Sequence, residues 1–364
     1  MSAGVATAEV VPLLRALVQA ESPSGAEEPA VALLHDWLAE RGLGPRRDGR
    51  NVWCEVGPPG APTLLLCSHL DTVPVGEGWT RPPLSAHQEG ERIYGRGSND
   101  AKGCVAAMAC ALLELRAEAR EDLRVVLAAT VEEETGRPGG LPDLLPRLPA
   151  ARAAVVGEPT GLVPVHAQKG LLALEALAVG RSAHAARPEE GRNAVHLAAR
   201  AIVALEQLRF ARVHPELGPP TVQVTVVRGG ERRNVIPATC ELSLDVRTTP
   251  DYTPEELTGV LRDALPPGVE LTVRSLRLRA RATPREDPII RAAVEVTGRA
   301  STGSPTVSDW ALLGDDLAAV KLGPGESPRS HTPDEYVTED ELRRGVAVYA
   351  GLARGWAARL ANGA

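Results

Sequence analysis

No stretch of this chain stays apolar for long enough to span a bilayer, which excludes a transmembrane helix. The N-terminus, Met1-Ser2-Ala3-Gly4-Val5, lacks a basic segment followed by an apolar one. No export signal is therefore expected, and the cytoplasm is the expected compartment. Five cysteines are scattered without a Cys-x-x-Cys pair. That argues against a disulfide framework or a thiolate site, and Cys67 and Cys104, set among apolar residues, read as reduced core thiols. Positive charge is short too: a formal net charge of −7 argues against a general nucleic-acid binder. Lysine is almost missing beside a great excess of arginine, and Lys102, Lys169 and Lys321 are all there is. Coding bias accounts for this, unless a compact ammonium is needed at those places. There is no internal repeat and no long low-complexity linker. What remains is the composition of an ordinary globular protein, with 364 residues to build more than one core.

The periodicity predicts two domains. Helical patterns cover residues 10–20 and 27–41, with a strand at 63–68, a long helix after Asp100, and strands at 124–130 and 153–157. Short apolar strands alternating with helices imply a mostly parallel sheet covered on both faces, with functional residues at the strands' C-terminal ends. From about Gly170 the rhythm becomes strand (171–179), helix (193–208), two strands (221–228 and 239–247), helix (254–264) and strand (270–280). This β-α-β-β-α-β order is ferredoxin-like. Alternation then resumes with a helix at 288–296, a strand at 317–322 and a terminal helix at 338–360. The expected fold is α/β, with a discontinuous catalytic domain of residues 1–168 and 281–364 and an inserted α+β domain of 169–280.

Each of the first three strands ends in a candidate ligand. Residues His69 and Asp71 follow an apolar run and point the same way, where an Asp can fix the tautomer of a metal-ligating imidazole. The segment Gly95-Arg96-Gly97-Ser98-Asn99-Asp100 places an acid where a dinucleotide fingerprint would need its third glycine, and an anion there repels pyrophosphate. Asp100 suits a bridging carboxylate, or a helix N-cap. The run Glu132-Glu133-Glu134 is either a solvated loop or a pair of carboxylates dividing metal binding from proton transfer. Glu158 follows another apolar strand, and His331 lies far downstream. Two histidines with several carboxylates match a centre of mixed nitrogen and oxygen ligands. One oxygen-rich magnesium or manganese site fits, as do paired zinc-like ions roughly 3.5–4 Å apart.

Taken together, Ser68-His69-Leu70-Asp71-Thr72-Val73-Pro74, Gly95 to Gly103, Glu132 to Gly136, Gly157-Glu158-Pro159-Thr160 and Ser330-His331-Thr332-Pro333-Asp334-Glu335 resemble the di-zinc aminoacylase and carboxypeptidase family. The likeness is to its branch of acetylornithine deacetylase and succinyl-diaminopimelate desuccinylase, and it covers nearly the whole chain. It implies two divalent metal ions, zinc with cobalt as the alternative. Asp100 would bridge them, His69 and Glu158 completing one site and Glu134 and His331 the other. Asp71 would orient His69. Glu133 would be the general base, taking a proton from the shared water and returning it to the departing amine. Glu132, where relatives often have Asp, blurs the division of roles in the triple run. The inserted domain would act as a lid and dimerisation domain. In it, Arg181-Ser182-Ala183-His184-Ala185 resembles the segment whose His stabilises the oxyanion, often across a dimer, an effect on the order of 3 kcal/mol. Asn234 and Arg247 resemble substrate-binding positions, and Gly323 and Gly325 could turn amides toward a substrate carboxylate.

The resemblance implies hydrolysis of a small N-acyl amino acid, with acetylornithine deacetylase of arginine biosynthesis favoured. The loop around Trp79 is similar to the small-molecule deacylases, whereas Gly323 to His331 is similar to carrier-linked lysine hydrolases. In a continuous strand Arg277, Arg279 and Arg281 would share one face, as an edge that blocks strand pairing or a surface for an acidic partner. A succinyl-diaminopimelate desuccinylase, a carrier-linked lysine or ornithine hydrolase and a metallo-carboxypeptidase or dipeptidase are the alternatives. A catalytically silent binding protein is a further one, although no ligand or base is missing.

Overall fold

The N-terminal helical patterns form α1 (Ala3–Gln19) and α2 (Glu28–Glu40) in a computed structural model that describes residues 3–363. A strand that periodicity did not predict, β1 (Asn51–Val56), precedes the expected β2 (Thr63–His69). Next come α3 (Lys102–Ala117), β3 (Arg124–Thr130) and β4 (Ala153–Val156). Helix α3 is apolar almost all round and correspondingly buried almost all round. Strand β5 (Val165–Gln168) then carries the chain out of this unit.

The second unit holds Ala167–Ala282 with Gly303–Val307, and the first holds Met1–His166, Thr283–Thr302 and Ser308–Ala364. In the second unit β6 (Gly170–Val179), α4 (Ala194–Gln207), β7 (Thr221–Gly229), β8 (Thr239–Thr248), α5 (Pro254–Ala264) and β9 (Val269–Leu278) follow in the ferredoxin-like order. They form an antiparallel sheet ordered β7-β8-β6-β9. Alternate residues Leu172, Leu174, Ala176 and Ala178 of β6 are buried with Leu197 of α4 and Leu257 of α5 in this unit's own core. The arginine stripe does not lie on one strand. Strand β9 shifts register on both sides of Ser275 and ends at Leu278, Arg279 N–H turns back to Arg277 O at 3.1 Å, and Arg281 starts a separate two-residue strand.

The first unit resumes with α6 (Pro288–Thr297), β10 (Ala318–Lys321) and α7 (Glu339–Ala361). In its nine-stranded sheet these strands run in the order β1-β3-β2-β4-β10-β5, with the short strand Arg46–Asp48 outside β1. The four central strands are parallel, and β1 and β5 pair antiparallel at the flanks. Leu64, Leu66, Val125, Leu127, Val155 and Val320 face the helical layer that contains α1, α2, α3, α6 and α7. The alternate residues Leu65, Cys67, Val126, Ala128, Ala154 and Val156 pack with Leu141, Leu144, Trp310 and Leu313. Burial on both faces explains why the central strands read as continuous apolar runs. Because β2, β3, β4 and β10 are parallel, their C-terminal ends open on one edge; His69, the acidic run 132–134 and Glu158 follow three of those ends, Asp100 lies just before α3, and His331 lies between β10 and α7.

Candidate metal centre

His69 is the last residue of β2 and is 2% exposed. Its Nδ1 lies 2.9 Å from the main-chain O of Asp71, while the Asp71 carboxylate is 3.5 Å away. That carboxylate has other work: it accepts the amides of Glu133 and Glu134, each at 3.1 Å, and Ser24 Oγ at 2.7 Å. Asp71 thus fastens the acidic loop after β3 to the end of β2. Burial pushes its carboxyl up, yet His69, Ser24 and the Glu134 amide hold it below the usual range.

The Nε2 of His69 is 3.3 Å from Asp100 Oδ1, and His331 Nε2 is 3.6 Å from Asp100 Oδ2 and 3.0 Å from Glu134 Oε1. One carboxylate therefore turns its two oxygens to two histidines from distant parts of the chain. His69, Asp100 and Glu134 offer ligand atoms all within 4.8 Å of one another and could hold a metal ion. Asp100 is not a helix cap, because the cap residue of α3 is Ala101, which makes no side-chain cap bond. The imidazole of His331 is 52% exposed, whereas that of His69 is enclosed, so the two sides of the cluster differ in access to solvent.

The charges fit a cation. Burial pulls the His69 imidazole down, but Asp100, Asp71 and Glu133 outweigh it and the group ends well above its ordinary value. Burial drives the Glu133 carboxyl well above the usual range, with Glu158, Asp309 and Glu134 adding repulsion against His69. Burial and then Asp100 push Glu158 up to about 8. Glu158 thus keeps its proton at neutral pH, and a divalent ion would displace it, whereas burial pushes Asp100 up but His69, Ser330 and His331 hold it below the usual range. The donor set of two imidazoles and several carboxylates suits a borderline or hard ion.

Glu132 stands apart from its neighbours. Its carboxylate accepts Arg50 Nη2 at 2.7 Å and Thr135 Oγ1 at 2.7 Å, and Arg50 also pairs with Glu27. The first glutamate of the triple run is thus tied to the scaffold. Gly323 is equally committed: its N–H donates to Thr160 Oγ1 at 3.2 Å, and a Cβ there would meet Cys104 Sγ at 2.5 Å. Close packing accounts for that glycine. Gly325, at φ +84°, has its carbonyl bonded to Gly161 N at 2.6 Å.

His184, Asn234 and Arg247 belong to the second unit. His184 is exposed, and its Nδ1 accepts the amide of Ala186 at 3.0 Å, which leaves Nε2 to carry the proton of the neutral ring. The Arg247 fork is engaged by Asp245, at 2.8 and 3.1 Å. The lysines also find places. Lys102 Nζ donates to Leu17 O at 2.8 Å and Ala20 O at 2.9 Å, closing the end of α1, and Lys169 Nζ donates to Pro219 O at 2.8 Å. Lys321, buried at the end of β10, carries positive charge into the neighbourhood of Glu158, Glu133 and Asp100.

Pattern reasoning gave no role to Asp309, Asn99 and Glu335, and left Lys321 open between coding bias and a needed ammonium. Asp309 is buried, accepts Thr130 Oγ1 at 3.1 Å, and adds its charge near Glu133. Nothing in the local sequence separates a buried acid of this kind from a solvated one.

A mostly parallel sheet with histidines and carboxylates gathered beyond its strand ends, its chain interrupted by an antiparallel α/β unit, is the architecture of a metal-ligating site. Residues 65–355 match Peptidase family M20/M25/M40, and the chain belongs to that family. It is 30% identical over 358 residues to an acetylornithine deacetylase from Edwardsiella ictaluri, covering 91% of this chain and 93% of that one. To an acetylornithine deacetylase from Salmonella typhimurium it is 31% identical over 357 residues, covering 90% and 92%. An M20-family metallo-carboxypeptidase from Sulfolobus solfataricus shares the fold with a TM-score of 0.76 at 20% identity, covering 96% of this chain and 99% of that one. A dinuclear metal-binding M20 peptidase from Bacillus subtilis does so with 0.74 at 17%, covering 96% and 98%.

Proposed function

We propose that this protein is a metal-dependent amide hydrolase that removes the acyl group from a small N-acyl amino acid, with N-acetylornithine the preferred substrate. The observation that carries the reading is the position of Asp100, its two carboxylate oxygens turned toward His69 and His331. His69 and Glu158 would hold one divalent ion, Glu134 and His331 the other, and Asp100 both. Zinc suits this donor set, and cobalt would substitute for it. When bound, the pair would polarise the substrate carbonyl and lower the pKa of water.

The chain's own residues would do the rest. Glu133, beside the cluster with its carboxyl pushed up, would take a proton from the attacking water and return it to the departing amine. Asp71 would hold Glu133 in place through the loop amides. His184 would donate its Nε2 proton to the developing oxyanion, and a dimer through the second unit would be one way to bring it there. Arg247, Asn234 and Gly325 would bind the substrate carboxylate, Arg247 exchanging Asp245 for it. The names of the relatives matched over nine-tenths of the chain support acetylornithine. The five buried free thiols support a reducing compartment, the cytoplasm.

The test is amine release by zinc- or cobalt-reconstituted protein from N-acetylornithine, beside N-succinyl-diaminopimelate and dipeptides, with a chelator control. Chelator-sensitive release from N-acetylornithine alone is expected. Release from dipeptides alone would move the assignment to a peptidase, and release unaffected by chelator would refute the metal.

A further inference from the structure

His331 is followed three and four residues later by two acids that do not enter the ligand cluster. Glu335 is 1% exposed, and its carboxylate is fully engaged. Oε1 accepts the amides of Asn99 and Asp100, each at 3.0 Å, and Oε2 accepts Arg96 Nη1 at 2.6 Å. The main-chain carbonyl of Glu335 accepts Gly95 N at 2.8 Å and Ser98 Oγ at 3.3 Å. The whole turn that presents Asp100 is thus fastened to one residue of the loop that presents His331.

The grip is returned from the other side. Asn99 Oδ1 accepts the Glu326 amide at 2.9 Å, and its Nδ2 donates to Glu326 O and Ser330 Oγ, each at 3.2 Å. Two residues, Asn99 and Glu335, therefore lock the Asp100 turn and the His331 loop together on both flanks of the histidine. His331 has reason to need it. Its backbone lies at φ +63°, a left-handed conformation that a non-glycine residue rarely adopts and that persists only where neighbours enforce it. Its ring is also half out in solvent, with Glu134 Oε1 at 3.0 Å on its inner side. His69, in contrast, sits on a central strand with its ring enclosed.

We propose that Glu335, together with Asn99, is a positioning residue that keeps His331 in register with Asp100, so that the ion held on the His331 side depends on this clasp more than the ion on the His69 side, which shares Asp100 but has its histidine fixed on β2. The proposal rests on the two-ion reading above. Backbone amides bound by a buried carboxylate lose their partner when it is truncated, and the turn relaxes away from the set geometry. Partners of this kind change ion affinity by about 10–100-fold.

The experiment is titration of the chelated full chain with zinc, read by calorimetry, and with cobalt, read by its visible absorption. The wild type is expected to take two ions. Glu335→Ala should take the first within about threefold of wild type and the second about 10–100-fold more weakly, with the cobalt spectrum of the second ion altered. Glu335→Gln retains an oxygen for the two amides and should restore the second ion to within about threefold of wild type. Two ions at wild-type affinity and spectrum in Glu335→Ala would overturn the proposal, and so would equal weakening of both. Should that variant fail to fold, Asn99→Ala removes the return grip and should weaken the second ion by about tenfold; unchanged binding there would also overturn it. A wild type that takes fewer than two ions would instead refute the two-ion reading.

Discussion

The acids of the site differ less in chemistry than in what surrounds them. Glu132, Glu133 and Glu134 are consecutive, yet Glu132 is tied to Arg50, Glu134 reaches His331, and Glu133 is left beside Asp309 and Glu158. If Glu133 moves the proton, Glu133→Gln should lower kcat by about 10²–10⁴-fold while ion content, measured by elemental analysis, stays at the wild-type value. Wild-type turnover would remove Glu133 from the mechanism. The raised groups also predict a linkage. His69 must shed a proton to ligate, and its imidazole sits well above its ordinary value, so in the ion-free protein it holds that proton to higher pH than a free imidazole. Glu158, at about 8, is likewise protonated at neutral pH. Ion uptake near pH 7 should therefore release protons, and affinity should rise as pH rises. Calorimetry in two buffers of different ionisation enthalpy measures the release; a buffer-independent heat would contradict it.

At the scale of elements, α7 shows how a helix start doubles as support for the His331 loop. Thr338 accepts Glu341 N at 3.2 Å, and Glu341 accepts Thr338 N at 2.8 Å, a reciprocal capping box. Arg329 also donates to both Glu341 oxygens, at 3.0 and 2.9 Å. Burial pushes the Glu341 carboxyl up, but Arg329 and the Thr338 amide hold it below its ordinary value. The folded value is thus below the unfolded one of about 4.3. The resulting stabilisation is complete above the unfolded pKa and is lost as pH falls through the folded one. Glu341→Gln should cost about 1 kcal/mol near neutral pH, read by denaturant unfolding, with the gap to wild type closing below about pH 4. A gap that persists in acid would mean that the side chain acts by shape alone. The elements themselves were legible where one pattern ran long enough. The terminal helix was expected at 338–360 and spans Glu339–Ala361, and β3 was expected at 124–130 and spans Arg124–Thr130. Strand β1 was not legible. Five of its six residues are buried, but Asn51 and Glu55 break the apolar run that would have marked it.

For the whole molecule, the division into two units has a thermal consequence. Every proposed ligand, His69, Asp100, Glu134, Glu158 and His331, belongs to the first unit, and the second has its own core. Saturation at about 100-fold over Kd should stabilise the first unit by about 2.7 kcal/mol. In differential scanning calorimetry, zinc should raise only the transition assigned to that unit, by roughly 5–10 °C. An equal rise of all heat absorption would place ligands in both units or make them one cooperative block.

The sequence by itself determined the alternation of helices and strands, the change of rhythm near Gly170 and the apolar runs that end at His69, Thr130 and Gly157, because those signals are carried by neighbours along the chain. It also determined which residue types could ligate. Only the tertiary structure decided their partners. His331 meets Glu134 across 197 positions, and Glu335 meets the Asp100 amide across 235. It also decided that Asp71 anchors the loop of Glu133 and Glu134, and that Gly323 is committed to close packing. A hydrogen bond depends on distance and angle in space, and a periodic pattern holds neither for residues that the fold alone brings together.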